Sequence, residues 1–209
     1  MKICTVIVTR SKSCSVKTLH TILKLNIHCI QKNVQNEIVY VNDDPFEKVD
    51  MIKKCIPKCD RIFFVDFGIN VDEDSIAQIF ESHEGLGVLV FPGVKDGIDW
   101  GLFKHKVQEG SSEPISQMGL NFDTEVGREI SKNIHVVTNT EAKSWVMFSK
   151  NIMKNTKDKK GNWNLHVKMF EKLKDHGVKI YAFTAAKLTM SYPHECISNI
   201  LNAAGVKSN

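Results

Sequence analysis

The 209-residue sequence contains no run of 18 consecutive apolar residues, so no segment reads as a helix able to cross a bilayer. Its opening, MKICTVIVTR, is too short and too soon polar for a secretory signal. Asn-x-Ser/Thr sequons, internal repeats and low-complexity stretches are all missing. Six cysteines in a chain of this length suggest reduced thiols and not a disulfide frame, and a cytoplasmic setting is expected. Cys55 and Cys59 stand one helical turn apart, but no second Cys/His pair has matching spacing, which argues against a structural zinc. The net charge of +4 is too small and too dispersed to predict a nucleic-acid partner. Neither Gly-x-Gly-x-x-Gly after the first apolar run nor a Walker loop occurs. That argues against a Rossmann dehydrogenase and against a P-loop nucleotide hydrolase.

What the chain does have is alternation. Hydrophobic residues make up 42% and charged residues 25%, the balance of a globular domain large enough to bury its own core. Lys2 to Thr9 (KICTVIVT) is β-branched and almost wholly apolar, which predicts a strand buried on both faces. Val16, Leu19, Ile22, Leu23, Ile27 and Ile30 recur at helical spacing and predict an amphipathic helix to about Asn33. A second strand, Glu37 to Asn42, precedes a helix expected to carry Phe46, Val49, Ile52 and Ile56 inward. Arg61 to Asp66 is the third and most apolar strand. Asp72 to Phe80 reads as a helix and Gly87 to Phe91 as a fourth strand. This order predicts an α/β fold with a mostly parallel central sheet flanked by helices. Residues 92–130 change to short helical stretches and loops, expected to shape a cleft. Ile134 to Val137, Trp145 to Phe148 and Lys179 to Phe183 are strands of a mixed C-terminal part, with a helix from Trp163 to Asp175. No linker divides the chain.

The first three strands end in Thr9-Arg10, Asn42-Asp43-Asp44 and Asp66. Open α/β sheets bind ligands at that edge. A uracil base needs donors and acceptors, a ribose needs a carboxylate, and a diphosphate needs cations. Thr9 and Arg10 suit the base or phosphate, Asp43 or Asp44 the ribose, and Asp66 a phosphate-bound Mg²⁺ or Mn²⁺. Asp and Asn also favour turns, so any one of these residues can simply end a strand.

The segments TVIVTR, IVYVNDD, RIFFVDFGINVDEDSI and LHVKMFEKLKDHGVKIYAF occur in an order that resembles nucleotide-sugar glycosyltransferases of the GT-A type. Among these are the small domains with which chlorella viruses build capsid glycans. The resemblance covers residues 2–91 and, more loosely, 134–194. It implies one GT-A-like domain, with 1–91 as the nucleotide-binding half and 92–209 as the sugar and acceptor half. The implied reaction moves a hexose from a UDP-sugar to a carbohydrate acceptor with Mn²⁺ or Mg²⁺, in the host cytoplasm for a viral chain.

Departures from the family pattern are visible. Gly68 stands where the second acid of the family's Asp-x-Asp is expected. Asp72-Glu73-Asp74 supplies those letters six residues later, although Asp72 also suits a helix cap. Trp163-Asn164-Leu165-His166 occupies the place of the family's acceptor-side acid. His194 suits a C-terminal metal or phosphate ligand, and Lys157, Lys159 and Lys160 suit a loop over a diphosphate. Asp99, Gln117, Asp123 and Glu125 lie in the cleft-forming segment, where they would contact the sugar or the acceptor hydroxyl. Trp100, Trp145 and Trp163 suit sugar stacking or core packing, with Trp145 expected to be buried. Two other readings stay open: a sugar nucleotidyltransferase, and a binding module without catalysis.

Overall fold

A computed structural model describes residues 1–82, 84–95, 97–113, 115, 117–155 and 165–190. The elements are β1 (Lys2–Thr9), α1 (Val16–Gln31), β2 (Gln35–Asn42), α2 (Pro45–Cys55), β3 (Arg61–Val65), β4 (Ile69–Asn70), α3 (Glu73–Gln78), β5 (Leu86–Val90), α4 (Trp100–Gln108), β6 (Thr124–Ser131), β7 (Ile134–Thr140), β8 (Ser144–Phe148), α5 (Ser149–Asn155), α6 (Met169–Asp175), β9 (Lys179–Phe183) and β10 (Thr189–Met190). The described chain divides into two compact units. Met1–Gly93 with Asp123–Met190 holds the sheets, and Val94–Phe122 carries α4.

Among the described residues the main sheet has eight strands in the order β2-β1-β3-β8-β5-β9-β7-β6. β1 pairs in parallel with β2 and β3, and β5 with β9. The pairs β3–β8, β8–β5, β9–β7 and β7–β6 are antiparallel. Strand directions therefore agree for β1, β2, β3, β5, β9 and β6, with only β8 and β7 reversed. The sheet is mostly parallel in direction, as expected. The fourth predicted strand (β5) does not join β3 directly, because β8 lies between them.

Both faces of this sheet are covered. Cys4, Val6 and Val8 of β1 pack with Val49 and Ile52 of α2, Ile152 of α5 and Leu173 of α6. Ile3 and Phe63 pack on the other face with Leu25 and Cys29 of α1 and Ile76 of α3. Every residue of β3, β5 and β8 is buried, which explains their unbroken apolar runs. Trp145 is buried as expected and stacks on Phe64 with ring centroids 4.9 Å apart.

Several expectations are corrected. The apolar stripe of α1 faces outward: Val16, Leu19, Leu23, Ile27 and Ile30 are exposed, whereas Thr18, Thr21, Ile22, Leu25 and Cys29 are buried. The inward threonines serve the loop after β3. Thr18 Oγ1 accepts from the Gly68 amide at 3.1 Å, and Thr21 Oγ1 accepts from the Val71 amide at 2.8 Å. A buried loop needs such partners, and leucine cannot supply them. Phe46 is exposed, while Val49, Ile52 and Ile56 face inward as expected. β6 was not foreseen within 92–130, because all of it after Thr124 is exposed and carries no alternating pattern. The helix expected from Trp163 begins only at Met169, because residues 165–168 are described and are not helical. Trp163 and the lysines at 157, 159 and 160 lie outside the described residues.

Gly87 marks a slip in register, since Leu86 pairs with Lys179 and Val88 with Ile180. A Cβ at Gly87 would collide with Val178 Cγ1 and come within 3.2 Å of Ile152 Cδ1. Gly87→Ala should lower stability by about 1–3 kcal/mol in urea unfolding, the usual cost of overpacking. An unchanged midpoint would contradict this packing.

Candidate functional site

The carboxyl ends of β1, β2 and β3 gather four charged side chains, three of them anticipated. β1 runs into a tight turn in which Arg10 and Ser13 exchange backbone hydrogen bonds of 3.2 and 2.9 Å. Ser11 and Lys12 both adopt positive φ, at 50° and 59°. Such a primed turn is normally built from Gly or Asn, so its retention by Ser and Lys costs some strain beside the site. The turn presents Arg10, whose Nε donates to Asp43 Oδ2 at 2.7 Å and whose guanidinium lies 5.0 Å over the Phe67 ring. Asp43 continues β2 by one step, its amide donating to the Thr9 carbonyl at 3.0 Å.

Lys48, in the first turns of α2, completes the group. Its ammonium donates to Asp43 Oδ1 and stands 3.7 Å from Asp66 Oδ1. Asp66 follows β3 and is held from two sides. Its amide donates to the Lys143 carbonyl at 2.9 Å, and its Oδ1 accepts from the Phe67 amide at 2.8 Å. Burial alone would disfavour the Asp43 carboxylate, but the bonds from Lys48 and Arg10 outweigh it and hold the carboxyl below its ordinary range. The group is only partly buried, so each pair contributes little by itself, on the order of 0–1 kcal/mol. Its distinctive property is chemical: two cations and two carboxylates at one sheet edge.

Two clefts flank this group. One of about 170 Å³ is lined by Lys48 and Asp66 together with Phe64, Trp145 and Phe170. The other, about 330 Å³, is lined by Thr9, Tyr40, Asn42, Glu47 and Lys54, among others. A larger cavity of about 480 Å³ lies beside Asp60, Arg61 and Ser82, at the start of β3 and away from this edge. Its Arg61 is already engaged, bonded to the Ile79 carbonyl and 4.8 Å over the Phe148 ring.

The remaining expected residues are distributed as follows. Asp44 is the N-cap of α2, its Oδ1 accepting from Phe46 and Glu47 amides at 2.9 Å each. Asp72 caps α3 through the Ser75 amide and hydroxyl and also accepts from the Lys187 amide at 2.9 Å. Asp74 is exposed in the first turn of that helix. Among the described residues no three His, Cys, Asp or Glu side chains are grouped as a metal site requires. His194 lies outside the described residues. Asp99 and Gln117 belong to the second unit. Asp99 caps α4 through the Leu102 amide and also accepts from Asn121, while Gln117 is exposed.

Asp123 belongs to the first unit and is the most unusual carboxylate there. It is 4% exposed. Oδ1 accepts from the Gly93 amide at 3.0 Å and the Thr124 hydroxyl at 2.8 Å, while Oδ2 is buried without a hydrogen-bond partner among the described residues. Burial pushes this carboxyl above its ordinary value, opposed by the Gly93 amide, the Thr124 hydroxyl and Lys143. Gly93 leaves the space, since a Cβ there would sit 3.1 Å from Oδ2. The short segment entering β8 touches both acids: the Glu141 amide donates to the Asp123 carbonyl at 2.8 Å, and Lys143 receives Asp66.

Lys48 was missed in the sequence, although a lysine five residues after Asp43 in the helix that Asp44 opens was a readable signal. No family model and no curated protein matches the chain. Among solved structures it is similar to a mutant of the Drosophila β-1,4-galactosyltransferase 7 complexed with manganese, UDP-Gal and xylobiose. Identity is 12%, the TM-score 0.48, and the match covers 93% of this chain and 72% of that one. It is also similar to the inositol-1-phosphate CTP transferase of T. maritima, at 12% identity and a TM-score of 0.42, covering 97% and 76%. At these levels the likenesses carry no argument about the reaction, and the functional reading rests on the site.

The raised carboxyl of Asp123 has a consequence for stability. A group whose folded pKa lies above its unfolded value contributes stability fully at acid pH and loses it as pH rises through the folded pKa. Asp123→Asn keeps the acceptor for Gly93 and removes the buried charge. Thermal melts should therefore show the variant more stable than wild type near pH 7, with the gain disappearing as pH falls toward 4. A variant less stable at neutral pH would mean that the ionised carboxylate is the form the fold prefers.

Proposed function

We propose that the chain is a transferase that binds a UDP-sugar at the carboxyl ends of β1–β3 and moves its hexose to a carbohydrate acceptor. The observation that carries this reading is the convergence of Arg10, Asp43, Lys48 and Asp66 at that edge. Arg10 and Lys48 are donors suited to a diphosphate, which would take over bonds they now give to Asp43. Asp43, released from them, is placed to accept from ribose hydroxyls, with Thr9 beside it. Phe170, half-buried in the cleft beside Lys48 and Asp66, suits contact with a flat ring, with Trp145 packed beneath it.

A divalent ion would be held here through Asp66, whose Oδ1 is engaged by the Phe67 amide and Lys48 while Oδ2 accepts no hydrogen bond among the described residues. One carboxylate oxygen is a sparse set, so Mn²⁺ or Mg²⁺ would need phosphate oxygens and water. When bound, such an ion would supply positive charge to the leaving diphosphate. Lys48 supplies charge of the same sign from the protein itself, 3.7 Å from Asp66. Asp72 and Asp74 are the other acids on offer, with Asp72 already committed to its cap. Asp123, with a raised pKa and an enclosed oxygen lacking a partner among the described residues, would take a proton from an acceptor hydroxyl only where acceptor binding uncovers Oδ2. Nucleotidyl transfer to a sugar phosphate would use the same cations and is the second reading. A module that binds without catalysis would keep the edge and dispense with Asp123.

Titration calorimetry with UDP tests the site. Arg10→Ala and Lys48→Ala should each weaken UDP by about 1.5–3 kcal/mol, the range for a hydrogen bond to a charged group. UDP release from a UDP-sugar should fall strongly in Asp123→Asn while UDP affinity holds. Unchanged affinity in both cation variants would remove the nucleotide from this edge.

A further inference from the structure

The outward stripe of α1 is an apolar surface that the candidate site does not use. Val16, Leu19, Leu23, Ile27 and Ile30 are exposed at 81, 49, 54, 55 and 80%. Their spacing of three, four, four and three residues sets all five on one line of the helix, opposite buried Thr18, Leu25 and Cys29. The stripe runs the length of a 16-residue helix, about 24 Å. A row of five aliphatic side chains that no described residue covers is not needed for the core, which is built from the other face of the helix.

The charges beside the stripe indicate what covers it. α1 contains no Asp or Glu, and carries Lys17, His20, Lys24 and His28, with Lys12 before it and Lys32 after it. The facing carboxylates come from α3. Glu73 of that helix is bound by His28 at 2.9 Å, and Asp74 is exposed. A second copy is a poor occupant on two counts. Pairing two such helices brings like charges together, and a contact along about 24 Å of helix falls short of the roughly 1,200 Å² that stable interfaces bury. An apolar row edged by lysines is instead the pattern of a helix lying in a lipid–water interface.

We propose that α1 docks the protein on an anionic membrane surface, with Leu23 and Ile27 at the centre of the inserted stripe. This does not depend on the reaction proposed above. The helix inserts only its outer side chains, while its threonine face stays on the sheet.

The test is co-sedimentation of the full chain with vesicles of phosphatidylcholine alone, or with about one-third phosphatidylserine. Wild type should pellet with the anionic vesicles, less with neutral ones, and less as salt is raised. Leu23→Glu combined with Ile27→Glu should weaken partition by about tenfold or more, with melting temperature and UDP affinity unchanged. Lys24→Glu should weaken it severalfold without touching the apolar row. No pelleting of wild type with anionic vesicles overturns the proposal, as does pelleting that both variants retain. Light scattering that shows a wild-type dimer, lost in the double variant and without vesicle binding, also overturns it and assigns the stripe to a second copy. Should the double variant unfold, the lipid dependence of wild type and of Lys24→Glu decides.

Discussion

The insertion of β8 between β3 and β5 is the constraint on which the rest of the architecture rests. Ser144–Phe148 is buried throughout and antiparallel to both neighbours. It joins the β1–β3 part of the sheet to the β5–β9 part, so neither can lose it without exposing a wholly apolar strand. Because β8 is reversed, its beginning lies at the edge where β3 and β5 end. That single reversal places Glu141 and Lys143 between Asp66 and Asp123, and both acids are anchored by backbone bonds to this segment. The core and the candidate site are thus set by the same strand.

At that edge the chain keeps charges that balance one another in place of a glycine loop. Asp43 lies between Arg10 and Lys48, and Lys48 reaches on to Asp66. The arrangement holds two cations in position at little desolvation cost, because each is shared with a carboxylate. An anionic ligand can replace Asp43 as their partner without leaving a charge unpaired, since Asp43 stays partly exposed to water and to ligand hydroxyls. Asp123 follows the opposite logic. It is buried with one oxygen lacking a partner among the described residues, a costly state that a fold tends to keep where the group has work to do.

How much of this was legible in the sequence depends on what each residue faces. β1 and β3 and the polar residues ending them could be read directly, because strands buried on both faces leave unbroken apolar runs. β2, an edge strand in which only Val41 is buried, was legible from its β-branched Ile38, Val39 and Val41. The facing of α1 could not. Its inward side uses Thr18 and Thr21 to satisfy the loop after β3, and a count of apolar letters assigns such positions to solvent. β6 was invisible because an exposed edge strand has no alternation to read. Lys48 needed a helix start to be combined with a strand end, a step across two elements that periodicity does not make. Asp72 and Asp44 show the reverse case, where a cap and a ligand use the same residue types and only the hydrogen bonds tell them apart.

The central claim is that the β1–β3 edge receives a nucleoside diphosphate through Arg10 and Lys48. A crystal structure of the chain soaked with UDP tests it most directly. The account predicts diphosphate oxygens within hydrogen-bond reach of both side chains, with the Asp43 carboxylate turned away from at least one of them. UDP bound elsewhere, such as in the cavity beside Arg61, with the Arg10–Asp43–Lys48 contacts intact, would contradict it.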